Sequence, residues 1–260
     1  MQDVHAATSE HSSGTRDVHR RSKREFSIFQ HLSADTNQSF GPDKGTTNNI
    51  TINSKVGIIR PCFAHKQDFV LNIIRGDMYY GQIYFNDVAN GIGCRTAFFV
   101  SGCTHHCKGC FNEMTWDFMY GNKYTKEVED EIVESLKPEY VNGLSILGGE
   151  PMEIVNQKEI RPLLERVKKE VPHATIWIYS GYTWEELNDK DNKRCHGEDT
   201  DAILSMIDVL VDGKFELEKR SLLLRFRGSS NQRVIDVPES LKKGEVVLSK
   251  YNDKEESRLS

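Results

Sequence analysis

Cys103-Thr104-His105-His106-Cys107-Lys108-Gly109-Cys110, followed by Phe111, is the run of this 260-residue chain best suited to chemistry. Three thiolates in a C-x3-C-x2-C register can hold three irons of a cubane iron–sulfur cluster and leave the fourth iron without a protein ligand. Clusters that only carry electrons normally recruit four cysteines, so the open corner invites a small molecule to bind there. Two other readings compete. A zinc ion could take Cys103, Cys107 and Cys110 with His105 or His106 as fourth ligand, although structural zinc usually draws its ligands from two separated pairs. A redox or disulfide pair would need only Cys107 and Cys110 and would leave Cys103 idle. On the cluster reading, His105 and His106 are exposed loop residues rather than ligands.

The elements that must position this loop follow from the pattern around it. Thr96–Val100 is a short apolar run of the kind buried in a parallel sheet, and it delivers the chain directly into the cysteines. Thr125 caps an expected helix to about Leu136, with Val128, Ile132, Val133 and Leu136 on one face. Leu144–Leu147 is the next strand, ending in Gly148-Gly149-Glu150-Pro151. A second amphipathic helix carries Ile160, Leu163, Leu164, Val167 and Val171, with Pro162 tolerable only in its first turn. Strand Thr175–Tyr179 ends at Ser180-Gly181. A short helix near Thr183–Leu187, a polar insertion from Lys190 to Asp199 and a helix through Ala202–Leu204 follow. Strand Val209–Val211 runs into Asp212-Gly213-Lys214-Phe215. Alternating strands and helices imply right-handed crossovers and a parallel sheet whose loops share one end. No Gly-x-Gly-x-x-Gly closes a strand, which argues against a dinucleotide fold. The expectation is α/β, an open or partial barrel.

Composition divides the chain. Residues 1–77 are rich in Ser, Thr, Asn, Asp, His and Arg, with apolar runs only at Val56–Ile59 and Phe69–Ile74, and read as a disordered extension. Residues 78–240 read as the folded domain, long enough to bury roughly 70% of its unfolded surface. Residues 241–260 read as a charged tail. No stretch is apolar and long enough to span a bilayer, and no secretory signal precedes the domain, so a cytoplasmic protein without membrane contact is expected. A net charge of −5 offers no global attraction to nucleic acid, and Arg20-Arg21-Ser22-Lys23-Arg24 reads as a solvated run. Cys62, Cys94 and Cys195 are scattered and read as unpaired thiols.

With its aromatic, the cysteine loop resembles the signature of the radical S-adenosylmethionine (SAM) enzymes, and Gly148-Gly149-Glu150-Pro151 resembles their GGEP motif. The resemblance implies a partial TIM-like barrel of the radical SAM type and a [4Fe-4S] cluster on Cys103, Cys107 and Cys110. It implies SAM held against Gly109, Cys110, Phe111, Gly148, Gly149, Glu150, Ser180 and Gly181, with bare glycine backbone and the Glu150 carboxylate near the methionine amino group and Phe111 near the adenine. Ordinary core packing is the competing role for Phe111, and a tight turn the competing role for the two glycines. Asn86–Arg95, Phe99–Cys103, Thr115-Trp116, Ile176–Tyr182, Val211–Phe215 and Arg227–Gln232 resemble, in order, the activating component of the anaerobic ribonucleoside-triphosphate reductase. Ile92, Cys94 and a longer Lys190–Asp199 stretch depart from that pattern without touching the cluster ligands.

That narrower resemblance implies reductive cleavage of SAM, with an electron from a donor such as flavodoxin, to a 5′-deoxyadenosyl radical that takes hydrogen from a glycine in the reductase large subunit. The cluster and SAM carry the chemistry, and no acid–base pair or nucleophilic triad is apparent or required. Asp212 and Lys214 are either polar site residues or an ion pair at the sheet edge. Arg227 and Asn231 are candidates for docking the partner. An activase of another glycyl-radical enzyme, another small radical SAM enzyme, or a zinc-stabilised interaction module are the alternatives.

Overall fold

The computed structural model describes residues 77–252. Residues 1–76 of the expected 1–77 extension, with Cys62, the basic run and both early apolar runs, lie outside the described residues, as does the tail beyond Asn252. In chain order the elements are β1 (Tyr79–Asp87), β2 (Cys94–Val100), β3 (Asn122–Lys123), α1 (Lys126–Leu136), β4 (Val141–Gly148), α2 (Ile154–Glu170), β5 (Thr175–Tyr179), α3 (Trp184–Asn188), α4 (Thr200–Met206), β6 (Val209–Asp212), β7 (Arg233–Asp236) and α5 (Val237–Lys243). Two 3₁₀ turns, Glu113–Trp116 and Leu217–Lys219, interrupt the connecting loops.

The strands form one mixed sheet in the order β3-β1-β2-β4-β5-β6-β7. Strands β2, β4, β5 and β6 are parallel neighbours, as the alternation of elements requires. The flanking pairs, β1 with β2 and with β3 and β6 with β7, are antiparallel. The fold is α/β as expected, and the sheet is open, with β3 and β7 at its edges. Strands β1, β3 and β7 were not anticipated. The side chains of β1 are half-buried or exposed, so the strand carries no continuous apolar run, and β3 is only two residues long.

The apolar stripes of α1 and α2 lie on one face of the sheet, packing Ile132, Val133, Leu136, Ile160, Leu163, Leu164 and Val167 against Phe98, Leu144, Ile146, Ile176 and Ile178. Helix α2 starts earlier than its apolar period suggests, which corrects the position of Pro162 to the helix interior. The reason is visible in its first turns, where the buried residues include Asn156 and Gln157. These polar side chains hold backbone carbonyls and hide the helical repeat.

On the other face a smaller cluster of Trp177, Val209, Val211 and Val234 is covered by Ile92, Phe226 and Tyr251. Arg95 is buried beside it. Its guanidinium donates to Ser145 Oγ, Thr175 Oγ1 and the carbonyls of Ile92, Leu144 and Thr175, and lies 5.3 Å from the Trp177 ring centre. All these acceptors are neutral, and burial lowers the Arg95 pKa to about 10. Of the stretch read as a charged tail, residues 247–252 lie along β7. Asp236 N donates to Val247 O at 2.9 Å and Ser249 N to Val234 O at 2.8 Å. Among the described residues no helix is long and apolar enough to cross a membrane.

Candidate functional site

The C-terminal ends of β2, β4, β5 and β6 meet at the cysteine loop. Strand β2 ends at Val100, and the next residues cross the end of β4 through two backbone hydrogen bonds, Gly149 N to Val100 O and Glu150 N to Gly102 O, each 2.8 Å. From the other side, Gly102 N donates to Thr115 O at 2.8 Å and Cys103 N to Trp116 O at 3.3 Å. The backbone entering the first cysteine is thus gripped on both flanks. Glycine is obligatory at this crossing. A Cβ on Gly149 would lie 2.5 Å from Gly102 O, and Gly148, at φ +113°, has Val100 O 2.7 Å from the same position. Close backbone packing against the cysteine loop therefore accounts for both glycines.

Cys103 is buried, and Cys107 and Cys110 are half-buried; all three are free thiols, as are Cys94 and Cys195. Burial, reinforced by the Glu150 charge, pushes the Cys103 thiol up to about 12. Burial also raises Cys107, against the opposing pull of the Phe215 backbone and the Lys214 charge. The loop exit of β6 thus reaches the second cysteine. Cys110 N donates to Cys107 O at 3.1 Å, closing a turn through Gly109 at φ +73°, and Asn112 N donates to Cys110 Sγ at 3.4 Å.

Among the described residues, no three His, Cys, Asp or Glu side chains gather closely enough to hold one ion. His105, a candidate fourth ligand on the zinc reading, is engaged elsewhere. A cubane takes its cysteine ligands on different irons, so three free thiols on one loop are a donor set that suits it.

The expectation that both histidines are exposed is corrected for His105, whose side chain is only 3% exposed. His106 adopts φ +49°, and this turn sends the two rings to opposite sides. His106 stays outside, edge-on to Trp116 at 4.6 Å. His105 turns inward, with Nε2 2.9 Å from Glu150 Oε2. Glu150, 1% exposed, also accepts from Met152 N (2.8 Å), Ser180 Oγ (2.8 Å) and Gly181 N (2.6 Å). Glu150, Ser180 and Gly181, singled out in the sequence, are therefore brought together through one carboxylate. Phe111 is 86% exposed at the rim, which removes core packing as its role.

Several residues were not foreseen. Glu153 Oε1 accepts from Thr104 N at 2.8 Å and Thr104 Oγ1 at 2.6 Å, fixing the residue after Cys103 to the start of α2. Asn156 Nδ2 donates to Ser101 O and Glu150 O, bridging the two loops. From the polar insertion, Arg194 reaches back to Thr104 O and Oγ1 and stacks on Tyr182. Nothing local marked Asn156 or Arg194.

Asp212 does not pair with Lys214. It is buried and takes Trp184 N at 2.7 Å and Arg233 Nε at 3.0 Å. Arg227 donates to Gln232 O and Asn252 O, and Asn231 Nδ2 to Lys214 O, so both serve to fold the loop between β6 and β7.

Comparison with known proteins bears on this geometry. The profile of the 4Fe-4S single cluster domain family matches residues 89–235, which run from the turn before β2 into β7. The anaerobic ribonucleoside-triphosphate reductase-activating protein of Vibrio cholerae is 46% identical over 157 residues, 60% of this chain and 96% of that protein. The chain belongs to the family of anaerobic ribonucleoside-triphosphate reductase-activating proteins. Other reductase-activating proteins agree: that of Escherichia coli K12 is 39% identical over 159 residues, 60% of this chain and 97% of its own length. That of enterobacteria phage T4 is 36% identical over 157 residues, 60% of this chain and 93% of its own. Nearly the whole of each such reductase-activating protein is thus matched by part of this chain.

Proposed function

We propose that this chain activates an anaerobic ribonucleoside-triphosphate reductase by raising a glycyl radical on the large subunit of that enzyme. Cys103, Cys107 and Cys110 would hold a [4Fe-4S] cluster, at which SAM would bind. When bound, the cluster supplies the single electron that cleaves the sulfonium. The observation that carries this reading is the convergence of four strand-end loops on the three cysteines.

The chain's own residues give placement and exclusion of water. The close crossing of Gly102 over Gly149 fixes where the first ligand enters. Glu150, Ser180 and Gly181 form the wall beside it, and the exposed Phe111 ring offers a face to the adenine, a stacking contact of about 1–3 kcal/mol. On this reading the parallel strands β2, β4, β5 and β6 are part of a TIM-like partial barrel of the radical SAM type, built from residues 78–240. A donor such as flavodoxin supplies the electron, and free thiols with an oxygen-sensitive centre suit a reducing cytoplasm.

Anaerobic reconstitution with iron and sulfide, then reduction with SAM present, tests it. The expected result is 5′-deoxyadenosine, together with a glycyl-radical doublet in electron paramagnetic resonance when the reductase large subunit is added. Protein that loads iron but never cleaves SAM overturns the reading. Cleavage with a doublet only on a different glycyl-radical enzyme moves the target.

A further inference from the structure

Two buried carboxylates stand beside the first cysteine. Glu150 N donates to Gly102 O, on the residue before Cys103, and Glu153 Oε1 accepts from the N–H and the hydroxyl of Thr104, the residue after it. The negative charge of both bears on the Cys103 sulfur. Among the described residues neither carboxylate makes an ion pair with a lysine or an arginine. A one-electron reduction at the three cysteines adds one negative charge there, and carboxylates without a counter-ion oppose it.

A cation reaches this place from the polar insertion. Arg194 Nη2 donates to Thr104 O at 3.2 Å and to Thr104 Oγ1 at 3.1 Å, and the same hydroxyl donates to Glu153 Oε1 at 2.6 Å. One hydroxyl therefore joins guanidinium to carboxylate. Arg194 is exposed, yet its place is fixed from both sides. Its guanidinium carbon lies 5.5 Å from the ring centre of the buried Tyr182, and the carbonyl of the next residue, the buried Cys195, accepts from Gln157 Nε2 on α2 at 2.8 Å. From the β6 side the Lys214 charge bears on Cys107 instead.

We propose that Arg194 is a positioning residue for charge: acting through Thr104, its guanidinium offsets Glu153 and so raises the reduction potential of the cluster that Cys103, Cys107 and Cys110 would hold. This rests on the reading of the site given above. The electron comes from the donor named there, and Arg194 neither gains nor loses a proton.

The experiment is an anaerobic redox titration of the reconstituted full chain without SAM. Dithionite sets the potential, the electron paramagnetic resonance signal of the reduced cluster is followed, and iron content is determined alongside. Arg194→Gln removes the charge. At the potential that half-reduces the unsubstituted protein, its ratio of reduced to oxidised cluster is expected to fall about threefold, the size of one solvent-screened charge. That fall is a shift of about 30 mV, at about 59 mV per tenfold for one electron. Arg194→Lys keeps the charge without the planar fork and is expected to stay within about 1.5-fold of the unsubstituted ratio. Glu153→Gln keeps an acceptor for Thr104 N and removes the carboxylate charge, so its ratio is expected to rise about threefold by the same arithmetic. Opposite shifts are the mark of charge, because a loosened loop would move both variants the same way. An unchanged ratio in Arg194→Gln, a lysine variant shifted as far as the glutamine one, or a fall in Glu153→Gln overturns the proposal. Arg194→Gln that no longer loads iron also overturns it, by making Arg194 a structural support of the loop. Unsubstituted protein that takes up no iron sinks the site reading as well, whereas the variant outcomes sink this proposal alone.

Discussion

At the scale of single residues, the crossing of Gly102 over Gly149 sets the tolerance of the site. The atoms that a Cβ on Gly149 would meet, Gly102 O at 2.5 Å and Thr115 O at 2.9 Å, are main chain, so no side-chain rotation can relieve the contact. Gly149→Ala is expected to destabilise the fold by about 1–3 kcal/mol and to lower the iron bound after reconstitution, measured by urea unfolding and iron assay. An alanine variant with unchanged midpoint and iron content would contradict the crossing. The cysteine spacing and the Gly148–Pro151 run could be read from the sequence because both are local. The inward turn of His105 could not, since it depends on the positive φ of His106 and on a carboxylate forty-five residues away. Arg194 was hidden for the same reason: its partner, Thr104, lies ninety positions earlier.

Among the elements, α1 and α2 were legible where their buried faces are apolar and illegible where they are polar. Ile132, Val133 and Leu136 announce α1, whereas Asn156 and Gln157 conceal two turns of α2. Helix α5 had a sequence signature that went unread. Asp236 caps it by accepting from Glu239 N at 3.1 Å, Pro238 sits in its first turn, and Gly244 ends it at φ +71°.

The two long helices are also joined electrostatically. Arg166 on α2 donates to Glu129 at 2.9 Å and to Asp130 on α1, and to Glu170 on its own helix. Burial pushes the Glu129 carboxyl upward, but hydrogen bonds from Lys126 and Arg166 outweigh it and hold the group below its ordinary 4.5. A carboxyl depressed in the folded state stabilises above its unfolded pKa and loses that contribution as pH falls through the folded value. Arg166→Ala is therefore expected to cost about 1 kcal/mol at pH 7. The cost should shrink as pH falls below the ordinary carboxylate range and through the depressed folded values, followed by urea unfolding. A penalty that persists in acid would place the Arg166 contribution in packing instead.

Over the whole molecule, the four parallel strands and their order follow from the alternation of apolar runs and amphipathic stretches, which is why the α/β class was accessible from the sequence. The antiparallel margins were not, because β1, β3 and β7 are short or half-exposed and are recruited by pairing rather than by their own pattern. Met78 is buried in the core and its carbonyl accepts from Tyr124 N at 2.9 Å, while Asp77 before it pairs with Lys123 only at the surface. A chain starting at Met78 is expected to load as much iron as the full chain when the two are reconstituted side by side. A marked deficit would make the preceding residues part of the cluster-binding unit.

Arg95 lies near the opposite end of the parallel strands from the cysteines and joins β2, β4 and β5 through a single guanidinium. Local opening should be polarised by that tie. In hydrogen–deuterium exchange, the amides of Leu144–Ile146 and Ile176–Ile178 should be among the last to exchange, and those of Cys103–Cys110 at least about tenfold faster. Uniform protection along the strands would argue against it. On that arrangement, removal of a metal centre from the cysteines by oxygen is expected to leave the sheet folded, so that the damage is one of repair rather than of turnover of the chain.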